Sequence, residues 1–127
     1  MKKTVLISRI LLGLLFTVFG LNGFLNFIPM PPPQGDAGQF MGILFMSGYF
    51  VPIFVLQLLA GVLLLVNRFV PLALAVLAPI LTNILFYHVF LDLKSIGGAI
   101  IALGLWAVVF YRERAAFSGL FSAKGVS

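Results

Sequence analysis

Four long apolar runs alternate with short polar or proline-bearing interruptions, at residues 5–27, 37–66, 70–90 and 95–111. A helix needs about 20 apolar residues to cross the hydrocarbon core of a bilayer, so the pattern predicts four spans. The first interruption, Ile28-Pro29-Met30-Pro31-Pro32-Pro33-Gln34, is rich in proline and cannot be helical. Asp36 followed by Gln39 has the spacing of a capping box and would start the second helix, which then carries Pro52 in its interior. Asn67 and Arg68 predict a tight turn, and Pro71 suits the first turn of a third helix that contains Pro79. Asp92, Lys94 and Ser95 make another short connection. Residues 112–127 scatter phenylalanines among Arg112, Arg114 and Lys124 and read as an interfacial tail. The expected fold is all-α: one domain over residues 1–127, a transmembrane four-helix up-down bundle.

Composition makes lipid the expected solvent. The chain is 62% hydrophobic and 9% charged, against roughly half and a quarter in soluble domains. Lys2 and Lys3 ahead of an apolar run also fit a signal peptide, but Phe24 to Phe27 stays bulky and offers no small-residue cleavage site. The first run is therefore read as a retained span. With four spans, Lys2, Lys3, Arg9, Arg68, Arg112, Arg114 and Lys124 fall on one side and only Lys94 on the other. The positive-inside rule then places the chain in a bacterial cytoplasmic (inner) membrane, with both termini cytoplasmic and Arg9, Arg68, Arg112 and Arg114 as anchors. Arg9 lies inside the first run, within snorkelling reach of the headgroups. The net charge of +5 does not point to nucleic acid, because no basic stripe is interleaved with aromatics on a solvated face.

The chain has no cysteine, which excludes thiol–disulfide chemistry and thiolate-held zinc or iron–sulfur sites. One histidine with three carboxylates makes a poor metal site, so none is expected. No nucleophile–base pair and no glycine-rich phosphate loop stands out, and no independent catalytic activity is expected.

Helix association in lipid depends on close backbone approach and interhelical hydrogen bonds. Gly13, Thr17 and Gly20 share one face of the first helix, and Ala60 and Gly61 flank Gln57 on the second. Ala75, Ala78 and Thr82 form a strip on the third, and Gly97, Gly98 and Ala102 on the fourth. Pro52 and Pro79 deprive the carbonyls of Gly48 and Ala75 of their helical donors, which a neighbouring helix or a cavity must accommodate.

Polar side chains at membrane depth are costly and so mark candidate sites. Ligand-binding candidates are Asn26, Gln57, Asn83 and His88, supported by Asn22, Tyr87 and Asp92. Asn22 and Asn26 face away from the glycine seam. Gln57 serves either as interhelical glue or as a ligand contact. Asp92, one turn after His88, is placed to set its tautomer. Asn83 and His88 lie about 140° apart on an ideal helix, so only a bend at Pro79 would bring both into one cleft.

Arg9 with Gly13, Phe19-Gly20-Leu21-Asn22, Gln57-Leu58-Leu59-Ala60-Gly61, Asn67-Arg68-Phe69-Val70-Pro71, Ala78-Pro79, Asn83 and His88-Val89-Phe90-Leu91-Asp92 together resemble the DoxX family of small four-helix membrane proteins. The likeness runs over residues 5–112 and lies in the order and spacing of these motifs. The family takes its name from a thiosulfate:quinone oxidoreductase, and related members resemble membrane partners of redox enzymes. Many relatives carry an acidic residue at the position of Gln57 and often a lysine near Asn22; glutamine cannot relay protons as a carboxylate can. The resemblance implies an accessory or quinone-interacting subunit of membrane redox metabolism. Membrane lipids, a redox partner protein and a second copy of the chain are its expected partners. An oligomeric carrier of small solutes or lipids and a purely structural membrane partner stand as alternatives.

The charge asymmetry predicts that reporter domains fused after Arg68 and after Lys124 both read cytoplasmic. A periplasmic signal from either fusion overturns the topology.

Overall fold

A computed structural model describes residues 2–25 and 33–125. Five α-helices form among them: α1 (Lys2–Leu25), α2 (Gly35–Met46), α3 (Phe50–Val66), α4 (Val70–Leu91) and α5 (Gly97–Glu113). A 3-10 turn, Leu93–Ser95, joins α4 to α5, and a 3-10 tail, Arg114–Phe121, follows α5. At 24 and 22 residues, α1 and α4 are long and apolar enough to cross a membrane, and α2 with α3 adds a third span if the bent pair counts as one. α5 has 17 residues, a length of about 25 Å.

The continuous helix expected over residues 37–66 is instead two helices bent by 86°. Gly48 breaks it with φ of 80°, a conformation that side-chain-bearing residues rarely adopt. The Ser47 amide donates to the Ile43 carbonyl at 3.0 Å, and the Tyr49 amide to the Ser47 hydroxyl at 3.2 Å. Pro52 consequently falls in the first turn of α3, where its missing N–H forfeits no helical bond, and it makes no interior kink. The capping box expected at Asp36 and Gln39 does not form either. α2 already begins at Gly35, and Gln34 before it makes no side-chain cap bond. Asp36 lies in the first turn, where the helix dipole favours its charge. The helix end expected near Tyr111 extends to Glu113.

The turn from α3 to α4 follows from three residues. Asn67 takes a left-handed conformation with φ of 57°, and the Arg68 amide donates back to the Leu63 carbonyl at 3.1 Å. This is a Schellman ending, which satisfies carbonyls that the finished helix leaves open. Phe69, also left-handed at φ 52°, turns the chain into α4, whose first turn takes Pro71. Arg9 of α1 completes the ending from outside, donating to the carbonyls of Leu64 and, at 3.4 Å, of Leu65. A cation at a helix C-terminus is also favoured by the dipole.

α1 packs against α3 and α5, and α4 against the same two helices, so the four contacts close a ring. The α1–α3 contact is the most extensive. A Cβ added to Gly61 would meet the Thr17 hydroxyl at 2.5 Å, the Thr17 amide nitrogen at 2.6 Å and the Gly13 carbonyl at 2.9 Å. One added to Gly20 would lie 3.1 Å from the Leu58 backbone nitrogen. The two backbones therefore touch along the seam anticipated at Gly13, Thr17, Gly20 and Gly61, and they run antiparallel. Leu12, Phe16, Leu64, Leu74, Leu77 and Val109 fill the centre of the ring. Leu14, Leu59, Leu72 and Ile101 are exposed on the outside. An apolar surface this continuous needs an apolar solvent.

Gly61→Ala should destabilise the detergent-solubilised protein by about 1–3 kcal/mol, because no backbone atom at the seam can retreat cheaply. Gly104→Ala, where a Cβ meets nothing within 4 Å, should leave the melting temperature unchanged or raise it. Equal behaviour of the two variants in thermal melts would refute the seam.

Candidate functional site

Pro79 interrupts the hydrogen bonding of α4, and several side chains serve the carbonyls around it. Trp106 of α5 donates its indole N–H to the Leu74 carbonyl at 3.0 Å. Thr82 donates to Ala78 at 2.8 Å, and the Asn83 amide to Pro79 at 2.9 Å. Trp106 thus serves the carbonyl of Leu74, one residue before the Ala75 carbonyl that Pro79 leaves without its helical donor.

Trp106 also begins an aromatic stack. Its ring lies 5.0 Å from Phe110 with planes 10° apart, and Phe110 lies 4.9 Å from Phe117 of the 3-10 tail. Phe117 is buried, so the tail folds back onto the bundle, whereas Leu120 and Phe121 remain exposed. Between this stack and the small residues Ala75 and Ala78 of α4 is an open apolar cleft of about 320 Å³, with Phe121 at its rim. Ligand pockets of about 300–1,000 Å³ with mostly apolar walls are the usual size for small molecules. The aromatic spacing from Trp106 to Phe110 and Phe117 is visible in the sequence, but nothing there marks it as a cleft wall. The small wall formed by Ala75 and Ala78 is the strip read above as a helix-packing seam.

The polar candidates are distributed over several places. Gln57 is buried in α3 and makes no hydrogen bond among the described residues. Asn22 is buried on α1 and has an interaction partner. Asn83 is exposed and turned back to its own helix. His88 is half-buried, with Nδ1 2.8 Å from the Ile84 carbonyl. Since a carbonyl only accepts, Nδ1 carries the proton, and Ile84 rather than Asp92 sets the tautomer. Tyr87 stacks on Phe40 of α2 at 6.0 Å and meets His88 edge-on at 5.1 Å. Asp92 follows the last residue of α4 and is half-buried. Asn26 lies outside the described residues.

The structure thus joins Tyr87, His88 and the bent-over α2, whereas the Asn83 amide is taken up by the Pro79 carbonyl of its own helix. Pro79 precedes both Asn83 and His88 in one continuous helix, so a bend there would move them together without rotating one toward the other. Among the anchors, Arg9 is half-buried at the α3 terminus, whereas Arg68, Arg112 and Arg114 are exposed. No family model, curated protein or solved structure matches the chain.

Gln57→Leu should leave the melting temperature unchanged or raise it, because the replacement removes a buried amide without breaking a protein hydrogen bond. A loss above about 1 kcal/mol in detergent would instead reveal an interhelical bond.

Proposed function

We propose that the chain is a DoxX-like, multi-pass membrane subunit that seats the apolar chain of a membrane quinone in the cleft between α4, α5 and the tail. In this reading α1, the α2–α3 pair, α4 and α5 provide four spans, and the basic end faces the cytoplasm. The cleft carries the reading: flat rings of Trp106, Phe110 and Phe117 oppose the small side chains of Ala75 and Ala78. Such a slot suits a flexible isoprenoid chain, which gains van der Waals contact on both sides. The Trp106 indole is already engaged with Leu74, so the cleft favours the tail of the molecule over its carbonyl-bearing ring. The ring's hydrogen-bond donors then come from a neighbouring protein or the interface, consistent with an accessory role. The backbone contact between Gly13 and Gly61 weighs against a solute path between α1 and α3.

Native mass spectrometry of the gently extracted protein should show a prenyl quinone retained by the unaltered chain. Ala75→Phe, which fills the cleft from an exposed position, should reduce retention about tenfold or more, equivalent to about 1.4 kcal/mol. Equal retention by both proteins, or no quinone on either, overturns the proposal.

A further inference from the structure

The cations at the basic end are not equivalent. Arg9 is engaged with the end of α3, and Arg68 stands exposed at the α3–α4 turn. Lys2, in the first turn of α1, and Arg112 and Arg114, at the end of α5, instead line one open cleft of about 220 Å³. Its other lining residues are Val5 and Tyr111. Residues more than a hundred positions apart in sequence thus place three like charges around a single space. Glu113, between the two arginines in sequence, does not line it. None of the three cations is paired with a carboxylate among the described residues.

Arg114 is also held in position. Its guanidinium carbon lies 4.1 Å from the centre of the Tyr111 ring, and one of its nitrogens donates to the Tyr111 carbonyl. A stacked guanidinium loses less freedom on binding an anion and keeps other N–H groups available.

We propose that this cleft binds a phosphate group, with Arg112 and Arg114 donating to its oxygens and Lys2 supplying a third charge. Phosphate suits this arrangement because its several oxygens accept charge-assisted bonds from more than one direction. Val5 and the Tyr111 ring add an apolar wall beside the cations. That combination fits the headgroup and glycerol region of an anionic phospholipid, although a small soluble phosphate ester offers the same anion. Repulsion among the three cations falls when the anion enters, so occupancy also draws the ends of α1 and α5 together.

The full-length protein, reconstituted in phosphatidylcholine nanodiscs with and without phosphatidylglycerol, provides the test. Native mass spectrometry should show phosphatidylglycerol retained about tenfold over phosphatidylcholine. A Lys2→Gln, Arg112→Gln, Arg114→Gln protein should lose this preference. A charge-matched Lys3→Gln, Arg68→Gln, Lys124→Gln protein should keep it. Arg114→Lys, which preserves charge but not the planar stack, should weaken retention severalfold while leaving the melting temperature unchanged. Displacement of the lipid by glycerol 3-phosphate would support the site with a soluble ester as ligand; resistance to displacement would support the lipid. Equal loss in both triple variants would reduce the effect to diffuse surface charge and overturn the proposal. So would a wild-type protein that prefers neither lipid and binds no glycerol 3-phosphate, or an Arg114→Lys protein that retains lipid as wild type does.

Discussion

Backbone contact between α1 and α3 sets the geometry on which the other helices depend. Where apolar side chains find no advantage in leaving lipid for one another, dispersion contacts at close range must hold helices together. Gly13 and Gly61 bring two antiparallel backbones into direct contact, with Thr17 and Gly20 extending the line. That separation lets Arg9 reach carbonyls at the end of α3. It also buries Gln57, one turn from Gly61, even though this amide has no protein partner among the described residues. The Thr17 hydroxyl is fully buried and has no hydrogen-bond partner among the described residues. Close packing here outweighs the missing hydrogen bond of the Thr17 hydroxyl.

The α4–α5 side follows a different principle. It is joined by an indole hydrogen bond and stacked rings, with alanines opposite them, instead of by glycine-mediated contact. Pro79 removes one donor from α4, and Trp106 supplies a bond close to that gap. Large rings hold their surroundings apart as well as together, and Phe117 of the tail props the arrangement from below. The seam therefore leaves almost no free volume between α1 and α3, whereas the aromatic side leaves a cleft. One half of the ring is close-packed and the other holds an open apolar cleft.

The basic residues illustrate how one charge pattern is divided among separate tasks. Arg9 neutralises a helix terminus, Arg114 is oriented by a tyrosine, and Lys2 and Arg112 face the same open cleft. A positive-inside count treats these side chains as interchangeable. Their partners show that they are not. Likewise, His88 and Tyr87 are defined by the neighbours that α2 and α4 supply, Phe40 and the Ile84 carbonyl, more than by their distance from the helix end.

By itself, the sequence determined the all-helical class, the α3–α4 turn at Asn67, the place of Pro79 and the glycine seam. Each follows from local rules: apolar length, left-handed tolerance, a missing N–H, and small residues repeated on one helical face. The break at Gly48 was also encoded locally, by a glycine four residues before Pro52, but apolar continuity over residues 37–66 concealed it. Only the tertiary structure decided that Arg9 would cap α3 and that Tyr87 would meet Phe40 of α2. It alone brought Trp106 to Leu74 and assembled the two clefts from residues distant in the chain. Periodicity specifies which side of a helix a residue occupies; which helix meets that side, and at what distance, depends on how all of them pack together.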